Sequence, residues 1–305
     1  MAVDLLSGLV LAYNCNEGTG TSLVDALGSN NATLTNVTWS TGIINEGITF
    51  NGTTSQGEVP HNEAFVMDTA LSMSVWVYRT ADGQSSTSGI ISRGATASSG
   101  TPAYQIGLTS TNTIRFVLRI DSTSHLLFST TTIPLETWTL VTTTYDGSTM
   151  RIYINGVVET NTTAVTGSVF GGTHNIGIGA HIQDATNRRF TGTLDGLYLW
   201  DRALNQDEID VLYSSGLGIE HPFVLPSNKI KGYVRIGSTP VSGAIVRLIA
   251  SDTGVYVMDT TTDVNGLYEF TELTAAVNYH VIVEYENGGT KYNAKSLWSV
   301  TPIED

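Results

Sequence analysis

The carboxylates Glu208 and Asp210 come closest in this chain to the spacing that hydrolysis of a glycosidic bond requires. Such hydrolysis uses two carboxyl groups that face each other across a cleft. The residues around this pair predict a short helix, and side chains two positions apart on a helix point to different faces. We therefore expect no catalytic pair at this position.

The other reactive residues indicate neither nucleophilic nor metal-assisted catalysis. The sequence lacks the G-x-S-x-G turn of serine hydrolases. Cys15 is the only cysteine, so the chain has no disulfide framework and no thiolate metal cluster, and we predict that Cys15 is a packed small residue. The histidines are scattered without the spacing of metal ligands, at positions 61, 125, 174, 181, 221 and 280. The expected function is accordingly binding rather than catalysis.

A polar segment before the last strands of the first domain has side chains suited to a ligand-binding loop. Imidazole, amide, carboxylate and guanidinium groups there can hydrogen bond to sugar hydroxyls or to carboxylates. The predicted binding residues are His181, Asp184, Asn187, Arg188 and Arg189. An ordinary solvated loop is the alternative interpretation, because the sequence alone places no exposed aromatic residue beside them.

The elements that must position these residues are predicted to be strands. Short runs of alternating or β-branched residues recur between turn residues. In residues 138–160, Asp146-Gly147 and Asn155-Gly156 supply the positive φ angles of tight hairpin turns, which predicts three consecutive antiparallel strands at 138–145, 150–154 and 157–160. Further strands are predicted at 9–13, 47–50, 71–78, 89–93, 104–108, 113–120, 125–129, 175–179 and 192–200.

One short helix is predicted after the last of these strands. Asn205 can cap its N-terminus, and Asp207 and Glu208 in its first turn favour the helix dipole. Its apolar stripe consists of Ile209, Leu212 and Tyr213.

A change of composition divides the chain near residue 222. Pro222 and Pro226 flank a segment with a polar exit, and the first lysine of the chain is Lys229. A new strand rhythm follows, in a unit of minimal domain size. We therefore predict a first domain at 1–222, a linker at 223–228 and a second domain at 229–305.

The formal net charge is −14, and only 14% of the residues are charged. An acidic surface repels phosphate groups, so nucleic acid is not an expected partner. The charge suits a bound divalent cation or a neutral glycan, although solubility is its simplest interpretation. The first residues lack the basic region of a signal peptide, and their apolar run is too short to span a membrane, so we expect no membrane insertion.

Several motifs between residues 8 and 216 resemble, in their order and spacing, the laminin-G-like jelly roll of the concanavalin A-like lectin/glucanase superfamily. They include the run from Gly8 to Tyr13, the loop from Asp25 to Asn31, the strand from Leu71 to Val77, the block from Trp138 to Gly156 and the run from Phe190 to Leu204. The resemblance implies an all-β fold, an antiparallel jelly-roll sandwich. Glycanases of the superfamily carry E-x-D-x-x-E on a strand, whereas Tyr213 stands here where the last Glu is required.

The same resemblance implies a calcium site. Members frequently hold the ion between the loop that corresponds to residues 25–31 and an aspartate near the last strand, which gives Asp25, Gly28, Asn30 and Asp195 as the implied ligands. Calcium takes six to eight oxygen ligands. The chain departs from the family because Ser29-Asn30-Asn31 replaces the usual Asn-Gly, and a turn without an ion is the alternative. The turn at 263–266 begins like a calcium loop but lacks the later Glu, so we predict a hairpin turn there.

The second domain resembles the carboxypeptidase regulatory-like, Ig-like fold through Gly232-Tyr-Val, Pro240-Val-Ser-Gly243 and the run from Thr262 to Phe270. The resemblance implies a small β-sandwich that acts as a non-catalytic spacer, and the tail from Tyr292 to Pro302 is similar to the ends of such modules in bacteriophage structural proteins.

Together these observations favour a non-enzymatic virion protein, a fibre or decoration component displayed in many copies. Its lectin-like domain would bind a host surface polysaccharide or another virion protein. The second hypothesis is a bacterial surface adhesin, with an extracellular or cell-surface location. The third is a glycan hydrolase of the same superfamily.

Overall fold

The computed structural model describes residues 3–84, 87–94, 102–181, 188–223, 228–250, 256–273, 279–287 and 290–300. The chain forms two compact units, Met1–Val224 and Leu225–Asp305. Strands dominate the described residues, which contain one short α-helix, so the predicted all-β class is confirmed. Most of the predicted linker, residues 224–227, lies outside the described residues, and the domain limits stay a prediction.

The first unit contains most of the strands of the chain. They are β1 (Leu9–Tyr13), β2 (Ser22–Leu23), β3 (Ala32–Thr35), β4 (Thr38–Thr41), β5 (Glu46–Asn51), β6 (Gln56–Val59), β7 (Leu71–Arg79), β8 (Ser88–Arg93), β9 (Tyr104–Leu108), β10 (Thr113–Ile120), β11 (Thr123–Thr132), β12 (Thr139–Tyr145), β13 (Thr149–Ile154), β14 (Val157–Val158), β15 (Thr163–Ala164), β16 (Ile176–Ile178) and β17 (Thr191–Trp200). Every strand predicted for this region has a counterpart, whereas β2, β3, β4, β6 and β15 were not predicted.

These strands form two antiparallel sheets that share one core. The nine-stranded sheet has the order β14-β13-β12-β7-β17-β5-β4, with β1 paired to β17 and β15 paired to β13. The eight-stranded sheet has the order β11-β10-β9-β8-β16-β6-β3-β2. Both sheets contribute buried side chains to a single apolar cluster, for example Tyr13 and Val75 from the first and Ile106 and Phe116 from the second. The first unit is therefore a β-sandwich.

Alternation along β9 and β10 gives the eight-stranded sheet one apolar face and one polar face. In β10, Ile114, Phe116 and Leu118 belong to the core. Successive side chains of a strand point to opposite faces, so Arg115 and Arg119 project away from the core. We call the face of this sheet that is turned away from the core the outer face.

A glycine in β8, Gly89, lets the backbone at Ala180, His181 and Arg188 lie directly against the outer face. A Cβ atom at Gly89 would lie 2.7 Å from the carbonyl carbon of Ala180 and 2.8 Å from the backbone nitrogen of His181. The backbone nitrogen of Gly89 donates to the carbonyl of Arg188 at 3.0 Å. Because any larger side chain at position 89 would push this backbone away, the glycine lets the backbone of Ala180, His181 and Arg188 lie close to the sheet.

A second apolar cluster lies on the other side of the nine-stranded sheet, beneath the helix α1 (Gln206–Tyr213). Trp76 and Trp200 from the sheet belong to it together with Ile209 and Leu212 from α1. Asn205 accepts a hydrogen bond from the backbone nitrogen of Glu208, whose side chain accepts from the backbone nitrogen of Asn205. This capping box confirms the predicted helix and its N-terminal residue.

The second unit is built from short antiparallel strands. They are β18 (Asn228–Tyr233), β19 (Arg235–Ile236), β20 (Thr239–Pro240), β21 (Ile245–Ala250), β22 (Tyr256–Thr261), β23 (Leu267–Leu273), β24 (Tyr279–Asn287) and β25 (Thr290–Val300). β22-β21-β24-β25 form a four-stranded sheet, while β18 pairs with β23 and β19 with β20. Its core includes Ile230, Val246, Leu248, Phe270 and Val281. The Ig-like resemblance of this unit stays a prediction.

No helix in the described residues has the length and apolar character needed to cross a membrane.

Candidate functional site

The register of the strands brings side chains from four strands together on the outer face. Gln105 of β9 lies opposite Ser92 of β8. Arg115 of β10 lies opposite Gly107 of β9 on one side and Phe128 of β11 on the other. Residues that lie opposite each other on antiparallel strands project to the same face and can contact each other. The outer face therefore places Arg115 beside Gln105 and Phe128.

A buried amide holds the guanidinium group of Arg115. Its Nη2 atom donates to Oε1 of Gln105 at 2.7 Å, and Gln105 has no exposed surface. The Nε2 atom of Gln105 in turn donates to Oγ of Ser92 at 3.5 Å. A long cationic side chain that is fixed in this way loses less conformational entropy when it binds a ligand.

The charge of Arg115 is poorly compensated. Its Nε atom is buried and has no hydrogen-bond partner in the described part of the chain. Partial burial lowers the pKa of Arg115, and the nearby charge of Arg188 lowers it further. Both effects disfavour the charged form of the guanidinium. A ligand that brings a hydrogen-bond acceptor or a negative charge next to Arg115 would therefore stabilise it.

Apolar surface lies immediately beside this arginine. Phe128 and Leu126 of β11 have exposed fractions of 42% and 46%. Leu126 lies opposite Val117 and Phe128 opposite Arg115, so both belong to the outer face. Apolar and aromatic side chains next to a few fixed polar groups are the usual lining of a small-ligand site.

The predicted binding segment lies partly on the same face. Nη1 of Arg189 donates to the carbonyl of Ser55 at 3.0 Å and to Oε1 of Gln56 at 2.9 Å. The carbonyl of Arg188 accepts from the backbone nitrogen of His181 at 3.2 Å. His181 is buried, with an exposed fraction of 2%. Asp184 and Asn187, the other predicted binding residues, lie outside the described residues.

Sequence reasoning missed Arg115, Gln105 and Phe128. The alternation in β10 could have identified Arg115. An arginine that lies between buried apolar residues of a strand belongs to the polar face of the sheet. The pairing of Arg115 with Gln105 and Phe128 depends on register, and a single sequence does not specify which residue of one strand lies opposite which of another.

The predicted calcium ligand Asp25 is a buried acceptor for its own loop. Its Oδ1 atom accepts from the backbone nitrogens of Ala12 at 3.1 Å and Leu27 at 3.2 Å. Its Oδ2 atom accepts from the backbone nitrogens of Ser29 at 3.4 Å and Asn30 at 3.1 Å, and from Nδ2 of Asn30 at 3.3 Å. Gly28 adopts a positive φ of 84° within this turn.

Asp195 holds a different turn, between β4 and β5. Its Oδ2 atom accepts from the backbone nitrogens of Ile43 at 2.9 Å and Ile44 at 3.1 Å, and its Oδ1 atom from that of Gly196 at 2.7 Å. Burial raises the pKa of Asp195 to about 7 and outweighs these three donors.

The side chains around these two aspartates do not fit a calcium site. Both oxygens of each carboxylate already accept N–H groups, which a cation would have to displace, whereas calcium requires six to eight oxygen ligands. No group of three or more His, Cys, Asp or Glu side chains with the geometry of a metal site occurs among the described residues. The calcium site therefore stays an implication of the family resemblance, and the hydrogen bonds of the two aspartates do not favour it.

Glu208 and Asp210 lie on α1, as the sequence predicts. Glu208 is buried, and its two carboxylate oxygens accept from Nη1 and Nη2 of Arg202, each at 2.8 Å. Oδ1 of Asp210 accepts from Nε2 of Gln206 at 2.7 Å. Tyr213 stacks on Trp76 with ring centroids 5.9 Å apart. Glu208 therefore stabilises the helix, and nothing opposes it across a cleft in the described residues.

Comparison with known families gives one match. A laminin G family model, described as the concanavalin A-like lectin/glucanases superfamily, matches residues 51–210, which is just over half of the chain. This match and the sandwich architecture confirm the predicted jelly roll for that part of the sequence. No curated protein is similar enough in sequence to count as a match.

Solved structures share the fold at low sequence identity. Domain 4 of AbnA, a GH43 extracellular arabinanase from Geobacillus stearothermophilus, was solved in complex with arabinotriose; it aligns over 66% of this chain and 96% of that chain, with 19% identity and a TM-score of 0.53. The binding domain of Paraclostridial Mosquitocidal Protein 1 aligns over 96% of this chain and 74% of that chain, with 16% identity and a TM-score of 0.58.

The fold also matches part of a larger enzyme. A mutant of Trypanosoma rangeli sialidase that displays trans-sialidase activity aligns over 71% of this chain, with 18% identity and a TM-score of 0.54. The match covers 34% of that enzyme, so this chain corresponds to about a third of its length. At these identities the similarities show the fold alone.

Proposed function

The chain belongs to the concanavalin A-like lectin/glucanases superfamily, and we propose from this that it is a non-enzymatic binding protein whose first unit recognises a saccharide on the outer face. One observation carries the proposal: Arg115, fixed by the buried Gln105, lies beside the exposed ring of Phe128. Aromatic rings pack against the apolar faces of ligands, and fixed polar groups orient them.

The solved relatives support a binding role by analogy. Domain 4 of the arabinanase was solved with arabinotriose, and the mosquitocidal relative is named a binding domain. The sialidase and arabinanase relatives make hydrolysis the competing function. The positions of Glu208 and Asp210 favour binding, because both belong to one helix and Glu208 is neutralised by Arg202.

The biological setting that we propose is a virion. The first unit would display its outer face as part of a fibre or decoration protein, and the second unit would serve as a spacer. The support is the similarity of the tail from Tyr292 to Pro302 to the ends of Ig-like modules in bacteriophage structural proteins. A bacterial surface adhesin is the alternative, and the neighbouring genes distinguish the two, since capsid and tail genes accompany only the first.

Glycan binding by purified variants tests the proposed function. We expect Phe128→Ala to weaken binding of the full-length protein to any saccharide that it recognises on a glycan array by about tenfold, because loss of a central aromatic contact costs more than about 1 kcal/mol. Val157→Ala is the matched control, since Val157 is an exposed apolar residue of the other sheet. Equal binding by the two variants would contradict the outer face as the site.

A further inference from the structure

Among the described arginines of the first unit, some pair with carboxylates and others hydrogen bond to neutral groups. Three arginines away from the outer face pair with carboxylates: Arg79 with Asp82 at 3.1 Å, Arg151 with Asp146 at 2.5 Å and Arg202 with Glu208 at 2.8 Å. Arg93, which is buried, donates instead to the carbonyl of Gly172. On the outer face, Arg115 and Arg189 hydrogen bond to neutral groups, the side chains of Gln105 and Gln56 and the carbonyl of Ser55. The outer face thus concentrates positive charge on a protein of net charge −14.

Glu58, the acidic residue that shares this face in the described part of the sheet, does not neutralise Arg115. Glu58 lies on β6, and three strands, β16, β8 and β9, separate β6 from β10. Neighbouring strands are about 4.8 Å apart, so the two backbones are roughly 19 Å apart. Glu58 also accepts a hydrogen bond from Nδ2 of Asn175 at 2.5 Å. The charge of Arg115 therefore lacks a carboxylate within the described residues.

A partly buried guanidinium without an anion is unfavourable, and a ligand can supply the anion. The two Nη groups of an arginine can bind a carboxylate through two parallel hydrogen bonds, which are stronger than bonds to neutral acceptors. The Nε atom of Arg115 is buried and has no partner among the described residues, so the guanidinium is already partly desolvated, and Arg188 adds a second positive charge nearby. The site is thus better matched to an acidic ligand than to a neutral one.

We propose that the outer face selects saccharides that carry a carboxylate. The carboxylate binds Arg115, while the sugar ring packs on Phe128. Side chains of directly opposite residues begin about 5 Å apart, so a single sugar residue can contact both. This inference rests on the proposed function and names the ligand class of the same site.

The test compares uronic acid oligosaccharides with the methyl esters of the same oligosaccharides, using the full-length protein at low ionic strength. Esterification removes the charge and leaves the sugar rings unchanged. We expect the acids to bind about tenfold or more tightly than their esters, because hydrogen bonds to charged groups exceed those to neutral groups by this order. Added salt should reduce the difference, since the interaction is electrostatic.

Variants assign the preference to one residue. Arg115→Gln should abolish the difference between acid and ester, and Arg115→Lys should retain part of it, because lysine keeps the charge without the paired donors. Arg151→Gln is the matched control: it removes the same charge from the nine-stranded sheet. We expect it to leave the preference intact. If Arg115→Gln fails to fold, Arg115→Lys still reports on the paired donors.

The outcomes separate this inference from the proposed function. Acids and esters that bind equally, with loss of both in Phe128→Ala, would overturn the charge preference alone. An absence of binding to every saccharide would overturn both proposals. A preference that disappears equally in Arg115→Gln and Arg151→Gln would reflect net charge and would overturn the role of Arg115.

Discussion

At the scale of single residues, Asp195 gives the first unit a specific dependence on pH. Burial raises the pKa of this carboxyl group to about 7, whereas an aspartate in an unfolded chain has a pKa of about 3.9. At a pH between these two pKa values, the carboxyl group of Asp195 is protonated in the folded protein and ionised in the unfolded chain. The stabilising contribution is therefore complete below pH ~4 and is lost as the pH rises through about 7.

We expect the free energy of unfolding to fall between about pH 4 and pH 7, by at most about 1.4 kcal/mol per pH unit. Asp195→Asn should remove most of this slope in chemical denaturation experiments. Asp146→Asn is the control, because the pKa of Asp146 lies at about 2: the hydrogen bonds from Arg151 and Ser148 outweigh the effect of burial. Parallel slopes for the wild type and Asp195→Asn would show that other groups cause the dependence.

The carboxylate of Asp25 has a structural role that can be separated from metal binding. Four backbone N–H groups, those of Ala12, Leu27, Ser29 and Asn30, donate to it in a buried position. We expect Asp25→Ala to lower the free energy of unfolding by about 3 kcal/mol or more, because buried donors lose their acceptor.

Thermal melting with calcium and with a chelator distinguishes this role from the implied calcium site. On the hydrogen-bonding account, the loss in Asp25→Ala is the same under both conditions. Bound calcium would instead stabilise the wild type by about 2.7 kcal/mol at a hundred times its Kd, and Asp195→Ala would abolish the difference. A chelator-dependent melting temperature would therefore assign the ion that the family resemblance implies.

At the scale of elements, Glu208 stabilises α1 by closing the capping box and binding Arg202. We expect Glu208→Gln to lower the free energy of unfolding by about 1–3 kcal/mol, since it weakens charge-assisted hydrogen bonds of a buried group. Asp210→Asn, which changes an exposed carboxylate on the same helix, should stay within about 0.5 kcal/mol of the wild type.

The same two variants examine the competing enzymatic function. We expect no release of reducing sugar from β-glucans, agarose or bacterial surface polysaccharides by the wild-type protein. Release that disappears in Glu208→Gln or Asp210→Asn, under conditions where both variants remain folded, would contradict the binding function.

The long strands and the helix could be predicted from the sequence, whereas the site could not. Alternating β-branched runs and the turns at Asn155-Gly156 identified the long strands, and Asn205 identified the start of α1. The short strands β2, β3, β4, β6 and β15 were not predicted, because two to four residues carry too little periodic signal. The site escaped because Arg115 and Phe128 meet only through the register of β10 and β11.

At the scale of the whole molecule, the two compact units lead us to expect independent folding. The polypeptides 1–222 and 228–305 should each unfold cooperatively when expressed alone, because each unit has its own buried core. Circular dichroism during thermal unfolding measures this. A stable full-length chain combined with non-cooperative unfolding of both pieces would contradict the predicted boundary.

Display in many copies is the last property that the proposed function requires. The outer face offers a sugar few side chains, chiefly Arg115, which Gln105 holds in place, and the ring of Phe128, so one copy can make only a small number of interactions with a sugar. We therefore expect weak binding by the monomer and a gain in apparent affinity of about 10²- to 10⁴-fold when the protein is clustered on a bead, because linked sites bind with a high effective concentration.

Surface plasmon resonance on an immobilised polysaccharide measures the affinity of both forms. Clustered Arg115→Gln should bind an acidic polysaccharide more weakly than the clustered wild type, whereas clustered Arg151→Gln should bind it equally well. Equal affinities for the monomer and the clustered wild type would contradict multivalent recognition.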